Sequence, residues 1–225
     1  MIIQLVTDRS RLAPGQPPAV VLDCLVEQAR QAVVAGLDLV QVREPDLDGG
    51  FLLQIVRALL ETVRGSATRV VVNERLDVAL AAGAHGVHLR ADSMEAAAVR
   101  RLAPRGFLVG RSVHAAHEAQ VAGPVDYLVA GTIWSTPSKP AGHPLLGVDG
   151  LARVVSGSAV PVLGIGGVNL GRVPDLATAG AAGFAAIGAW TGSAGACRAI
   201  PLHDLARAYR AAGEAANMWG HLPTT

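Results

Sequence analysis

Polar residues of reactive type recur in this chain where short apolar runs end. Arg43-Glu44, Asn73-Glu74, the stretch His88 to Asp92, Ser112 with His114, Ser135-Thr136-Pro137-Ser138-Lys139, Gly166-Gly167 and Gly188 all stand at such ends. A guanidinium fork at Arg43, a point charge at Lys139 and the hydroxyls of Ser112, Thr136 and Ser138 suit phosphate or carboxylate oxygens. The plainer alternatives are an Arg43–Glu44 ion pair and a solvated turn favoured by Pro137 and Pro140. Gly166, Gly167 and Gly188 either turn the chain or let an anion approach backbone N–H groups. Among the seven histidines, His114 is the candidate proton carrier, since an unperturbed imidazole titrates at about 6.5. His88 alternates with Val87 and Leu89 and reads as a satisfied core histidine. Glu74 and Asp92, with Asp46 further off, could hold Mg2+ through carboxylates and waters, or Glu74 and Asp77 could serve as helix N-terminal acids. No cysteine–histidine spacing suits zinc, and neither a nucleophile elbow nor a Gly-Lys-Ser/Thr phosphate loop occurs.

Residues scattered over the whole chain form one site only if the elements carrying them converge. Strands are expected at Ile2–Thr7, Leu39–Arg43, Val70–Asn73, Gly86–Leu89, Phe107–Ser112, Tyr127–Gly131, Val160–Ile165 and Gly183–Gly188. Helical spacing is found at Val21–Ala35, Phe51–Val63, Leu76–Ala82, Leu176–Gly180 and Leu202–Ala215. Ala35-Gly36, Ala82-Gly83 and Ala179-Gly180 each separate a helix from the next strand, where glycine supplies a left-handed turn. Eight β-α alternations predict a closed (β/α)8 TIM barrel, a single domain over residues 1–225, with the site at the C-terminal ends of the strands.

Composition agrees with that architecture. The chain is 51% hydrophobic but only 4% aromatic, so its core must be built from Ala, Val, Leu and Ile, as suits parallel strands buried on both faces. A net charge of +1 gives no reason to expect nucleic acid or a membrane surface as partner. Met1–Val6 reads as a strand rather than a signal peptide, and the uncharged stretch from Val154 to Gly171 is broken by Pro161 and glycines. Cys24 and Cys197 are expected as structural thiols in a reducing compartment, which points to the cytoplasm. The tail from Asn217 to Thr225 is expected to be loose or to serve a homodimer contact.

The segments Leu5–Asp8, Val40–Glu44, Val72–Ala79, Gly86–Leu89, Gly110–His114, Ser135–Lys139 and Gly164–Gly167 occur in the order seen in the thiamine phosphate synthase/TenI family. The chain resembles that family from about residue 2 to 215, and the resemblance implies the same barrel. For the synthase activity it implies that Arg43, Asn73 and Lys139 bind a pyrimidine diphosphate. Pro45 stands where the family has a further Lys, Glu74 replaces the first metal-binding Asp, and the second falls on Ser93 beside Asp92. For the TenI-like branch, the Gly-Arg-Ser-Val-His run places His114 at the acid/base position. The first expectation is therefore a TenI-like thiazole tautomerase that needs no metal cofactor. There His114 moves the proton, Gly166, Gly167 and Gly188 hold the thiazole phosphate, and Arg43, Ser112 and Lys139 contact carboxylate or phosphate. The alternatives are thiamine phosphate synthase with Mg2+ on Glu74 and Asp92, and a non-catalytic binder in which Pro45 and Ser93 mark decay.

Overall fold

A computed structural model describes residues 1–140, 142–191, 202–218 and 220–222. Eight parallel strands close in chain order into one barrel. They are β1 (Ile2–Val6), β2 (Leu39–Val42), β3 (Arg69–Asn73), β4 (Gly86–Leu89), β5 (Leu108–Val113), β6 (Tyr127–Ala130), β7 (Val162–Ile165) and β8 (Gly183–Ala186). The helices are α1 (Arg9–Leu12), α2 (Pro18–Val34), α3 (Gly49–Val63), α4 (Leu76–Ala82), α5 (Ala96–Leu102), α6 (Ala116–Gln120), α7 (Gly147–Ser156), α8 (Val173–Thr178) and α9 (Leu202–Ala215). Two short 3-10 turns follow β7 and β8, at Leu170–Arg172 and Gly188–Trp190. The expected TIM barrel is thus observed, with strand ends moved by one or two residues. The expected seventh strand loses its first residues because Pro161 has no N–H to give the ladder.

Strand parity divides the buried residues into two sets. One set faces inward and contains Ile2, Val6, Leu39, Val71, Leu108, Tyr127, Val129, Leu163 and Ala185. The other faces the helices and contains Ile3, Leu5, Val40, Val42, Val70, Val72, Val87, Val109, Leu128 and Phe184. Near-continuous apolar strands result, because both faces are dry. Gln4, Gln41, Arg69, Asn73, His88 and Ser112 share the parity of the inward set and are polar exceptions to it.

The glycines of the repeated Ala-Gly junctions, Gly36, Gly83 and Gly180, all have positive φ and end α2, α4 and α8 as expected. Cys24 on α2 is disulfide-bonded, which corrects the expected pair of free thiols; Cys197 lies outside the described residues. The expectation of a reducing compartment, which rested on free thiols, loses that support. Within the tail, Met218 is buried in the helix-side core and Leu222 packs against the inward cluster. Among the described residues no helix is long and apolar enough to cross a membrane.

Candidate active site at the strand ends

Two hydrogen-bonded lines of polar side chains cross the barrel interior. In the first, Gln4 on β1 donates from Nε2 to Oε1 of Gln41 on β2, and Gln41 Nε2 donates 2.9 Å to Oδ1 of Asn73 at the end of β3. This fixes Asn73 with its carbonyl side turned inward, which leaves the Nδ2 donors for the mouth. The inner end of the line carries a cost, since Oε1 of Gln4 is buried without a partner. In the second line His88 joins Tyr127 and Ser112. His88 is the satisfied core histidine that its position between Val87 and Leu89 suggests.

Arg43 continues the inward parity of β2 one step past the strand and is exposed. It makes no ion pair among the described residues, and the alternative of pairing with Glu44 is not realised. Glu44 turns the other way, is 4% exposed, and accepts 2.7 Å from the Thr7 hydroxyl and 3.1 Å from the Arg9 N–H. Burial pushes its carboxyl up to about 7, against the opposing pull of those two donors and the Arg9 charge. Lys139 is likewise exposed and without an ion pair among the described residues. Its loop is a turn in which Lys139 N–H donates to the Thr136 carbonyl and the hydroxyls of Thr136 and Ser138 lie 3.1 Å apart.

His114 sits just beyond β5. Its ring Nδ1 donates to the Gly131 carbonyl at the end of β6, and its backbone N–H donates 2.7 Å to Glu118. A carbonyl can only accept, so the neutral ring carries its proton on Nδ1 and offers the Nε2 lone pair as a base. His114 and Lys139 share a cavity of about 440 Å3, which His143, Leu145, Leu146 and Arg153 also line. Arg43, Asn73, Ser112 and Gly166 are not among its lining residues. The strand-end residues are therefore divided between the barrel mouth and a side pocket toward α7.

Gly166 and Gly167 both have positive φ, and both are packed against the loop after β6. A Cβ on Gly167 would stand 2.7 Å from the Ser135 carbonyl and 2.8 Å from Nη1 of Arg172, so chain turning alone already requires glycine here. Arg172 donates to the Gly167 carbonyl and lies 4.9 Å over the Trp134 ring. Gly188 is different. It opens a 3-10 turn, and among the described residues a Cβ there would meet only Arg11 Nη1, at 3.8 Å. Space beside a helical N-terminus with a guanidinium nearby is a setting for an anion. Sequence reasoning missed Arg11, Arg172 and His143; the first two come close only through barrel closure and loop packing.

Glu74 adopts a left-handed conformation at φ 64, which a residue with a side chain enters at a cost. Its Oε1 accepts 2.6 Å from the N–H of Arg90, whose guanidinium pairs with Asp92 at 2.8 Å. The two expected metal carboxylates thus flank a single residue, Arg90. Arg111 holds the loop bearing Asp92 by donating to the Ala91, Ser93 and Met94 carbonyls. Among the described residues no three His, Cys, Asp or Glu side chains cluster as metal ligands. Two carboxylates completed by water and substrate oxygens are nonetheless a donor set that Mg2+ accepts. Among the described residues the second Glu74 oxygen accepts no hydrogen bond, and the Arg90–Asp92 pair is exposed and easily displaced. The residues present fit the ion on those terms.

The thiamine monophosphate synthase family profile matches residues 12–190. A thiamine-phosphate synthase of Methanoregula boonei is 40% identical over 168 residues, covering 74% of this chain and 78% of that protein. One from Azorhizobium caulinodans is 35% identical over 189 residues, covering 83% and 85%. Among solved structures, a thiamine phosphate pyrophosphorylase from Pyrococcus furiosus superposes with a TM-score of 0.77 at 28% identity, covering 96% of both chains. A 3-hexulose-6-phosphate synthase superposes with a TM-score of 0.67 at 20% identity, covering 94% and 99%, and shares the fold alone.

Proposed function

The chain belongs to the thiamine monophosphate synthase family, and from that premise we propose that it joins a hydroxymethylpyrimidine diphosphate to a thiazole phosphate. In this reaction the thiazole nitrogen bonds to the pyrimidine methylene carbon as the bond from that carbon to the diphosphate oxygen breaks. The observation that carries the reading is a pair of exposed cations without ion pairs among the described residues, Arg43 at the mouth and Lys139 in the side pocket after β6. A departing diphosphate gathers negative charge, and cations already committed to ion pairs could not meet it without losing those pairs. One well-aimed donor at such a position contributes about 2.7–4 kcal/mol to the transition state.

Asn73 Nδ2 and the Ser112 hydroxyl add neutral donors beside those charges, and the Gly166-Gly167 and Gly188 turns, with Arg11, receive the thiazole phosphate. Mg2+ held by Glu74 and Asp92 would neutralise diphosphate charge as the leaving group forms. Pro45 is exposed and offers no cation, so more of the clamp falls to Arg43 and Lys139. The thiazole tautomerase expected first from the sequence takes second place, because the curated relatives above carry the synthase name. One observation still favours it: the Gly131 carbonyl fixes the His114 tautomer that leaves Nε2 basic, in a cavity with Lys139.

The test is to supply hydroxymethylpyrimidine diphosphate, thiazole phosphate and Mg2+ and to measure thiamine phosphate by fluorescence after oxidation. Turnover that falls at least a hundredfold in Arg43→Ala and Lys139→Ala is expected. Absence of product, together with aromatisation of the carboxylated thiazole phosphate that His114→Ala abolishes, would replace the synthase reading by the tautomerase. Tight thiazole phosphate binding with neither reaction would make the protein a binder.

A further inference from the structure

Tyr127, His88 and Ser112 form one line through the barrel interior, from the start of β6 through β4 to the mouth end of β5. The Tyr127 hydroxyl lies 3.2 Å from His88 Nδ1, and His88 Nε2 lies 2.9 Å from Ser112 Oγ. Tyr127 and His88 are buried, while Ser112 is half-buried where the interior opens. A Cβ on Gly110 would stand 2.5 Å from the Tyr127 hydroxyl and 2.6 Å from His88 Nδ1. The line exists only because position 110 has no side chain.

Its direction follows from where the protons must go. A buried phenol O–H needs an acceptor, and among the described residues the Tyr127 hydroxyl meets His88 Nδ1. Tyr127 therefore donates and Nδ1 accepts. A neutral imidazole then carries its single proton on Nε2, which donates to Ser112 Oγ. The ring is neutral, because an imidazolium would carry a proton on Nδ1 and leave the buried Tyr127 hydroxyl without an acceptor there. The opposite tautomer would strand the phenol proton in the core without an acceptor, the costlier arrangement.

A serine hydroxyl ordinarily rotates between giving and accepting a hydrogen bond. Here His88 Nε2–H takes one of the two Ser112 lone pairs from the interior side, and the hydroxyl proton meets no protein acceptor among the described residues. We infer that Tyr127 and His88 are positioning residues that present Ser112 to the mouth as a hydrogen-bond donor for a substrate phosphoryl oxygen. The identity of that oxygen as part of the diphosphate rests on the synthase reading above; the direction of the line does not. An anion would be repelled by a hydroxyl that turned its lone pairs outward, so the interior line selects for charge at a point remote from itself.

Nitrogen-15 NMR of the histidine-labelled, full-length protein reads the tautomer directly, with the His88 signals assigned by their loss in His88→Gln. A neutral ring protonated on Nε2 is expected. A neutral ring protonated on Nδ1, or a charged ring, overturns the inference, and neither readout depends on turnover. Titration calorimetry with inorganic diphosphate supplies the binding arm. Ser112→Ala and Tyr127→Phe should each weaken binding by about tenfold, and the double variant by no more than the stronger single one. If Tyr127→Phe lowers the melting temperature but leaves the His88 tautomer and diphosphate affinity unchanged, Tyr127 is only structural and the inference fails.

Discussion

Arg11 reaches the site although it ends no strand. Its Nε is held by Asp8 at 3.2 Å, and Nη1 comes within 3.8 Å of the Cβ position of Gly188, where β1 pairs with β8. With Nε tied to Asp8 and Nη1 close to Gly188, the guanidinium is placed to meet an anion at that turn. Arg11→Ala should weaken thiazole phosphate binding by roughly tenfold, the worth of one charge-assisted hydrogen bond, as measured by calorimetry. Unchanged affinity would reduce Arg11 to a surface partner of Asp8. Glu44 makes a prediction of a different kind. Its pKa rises from 4.5 in the unfolded chain to about 7 in the fold, so between those values the folded state binds more protons. The stability it contributes is present below about pH 4.5 and is lost as pH rises through about 7. The loss is on the order of 3 kcal/mol. Glu44→Gln keeps an acceptor for Thr7 and Arg9 without the charge. Denaturant midpoints of the variant should stay level from pH 5 to 8 while those of the parent fall.

At the level of elements, Gly167 joins the loop after β7 to the loop after β6. Its φ of 68 and the Ser135 carbonyl 2.7 Å from a would-be Cβ both oppose a side chain. Gly167→Ala should cost about 1–3 kcal/mol from backbone strain and displace the Arg172 stack on Trp134. Thermal melting and the tryptophan fluorescence spectrum would both report it; an unshifted spectrum would mean that the loop adapts. All eight strands were readable as apolar runs because parallel strands buried on both sides need nothing else. The helices α1, α5, α6 and α7 were not among the segments read from spacing, α1 being a single turn. Helices α5 and α6 are short, and the apolar spacing of α7 is interrupted by Gly147 and Gly150. At the site, the ends of the strands were legible as positions but not as partnerships. His114 and Lys139 share a cavity, whereas Arg43 and Ser112 face the mouth, a division that depends on loop paths no spacing encodes. Parity could have found the His88–Ser112 contact, since both fall on inward positions of adjacent strands.

The whole molecule keeps stability and chemistry at opposite ends. The candidate site lies at the C-terminal ends of the strands, while the N-terminal ends of β1 and β2 are tied to α9 by Arg210. Its guanidinium donates 3.1 Å to the Met1 carbonyl, to the Gly36 carbonyl, and 3.3 Å to Asp38, which in turn accepts 2.8 Å from the Ile3 N–H. Above that clasp, Phe184, Trp190 and Tyr209 stack between β8 and α9, and Trp190 donates through Nε1 to the Gln4 carbonyl. A closed barrel has no free edge, so the pairing of first with last strand completes it, and the final helix covers that seam. Arg210→Ala strips three acceptors of a donor at a half-buried position, where water can replace part of what is lost. The expected cost is about 1–2 kcal/mol, which for a chain of this size lowers the melting temperature by roughly 3–6 °C. Turnover per folded molecule should not change, because nothing in the clasp reaches the strand ends that carry Arg43, Asn73 and Ser112. If turnover fell in proportion to stability while the protein stayed folded, the two ends would be coupled through the interior, and the line from Gln4 through Gln41 to Asn73 would be the route to examine.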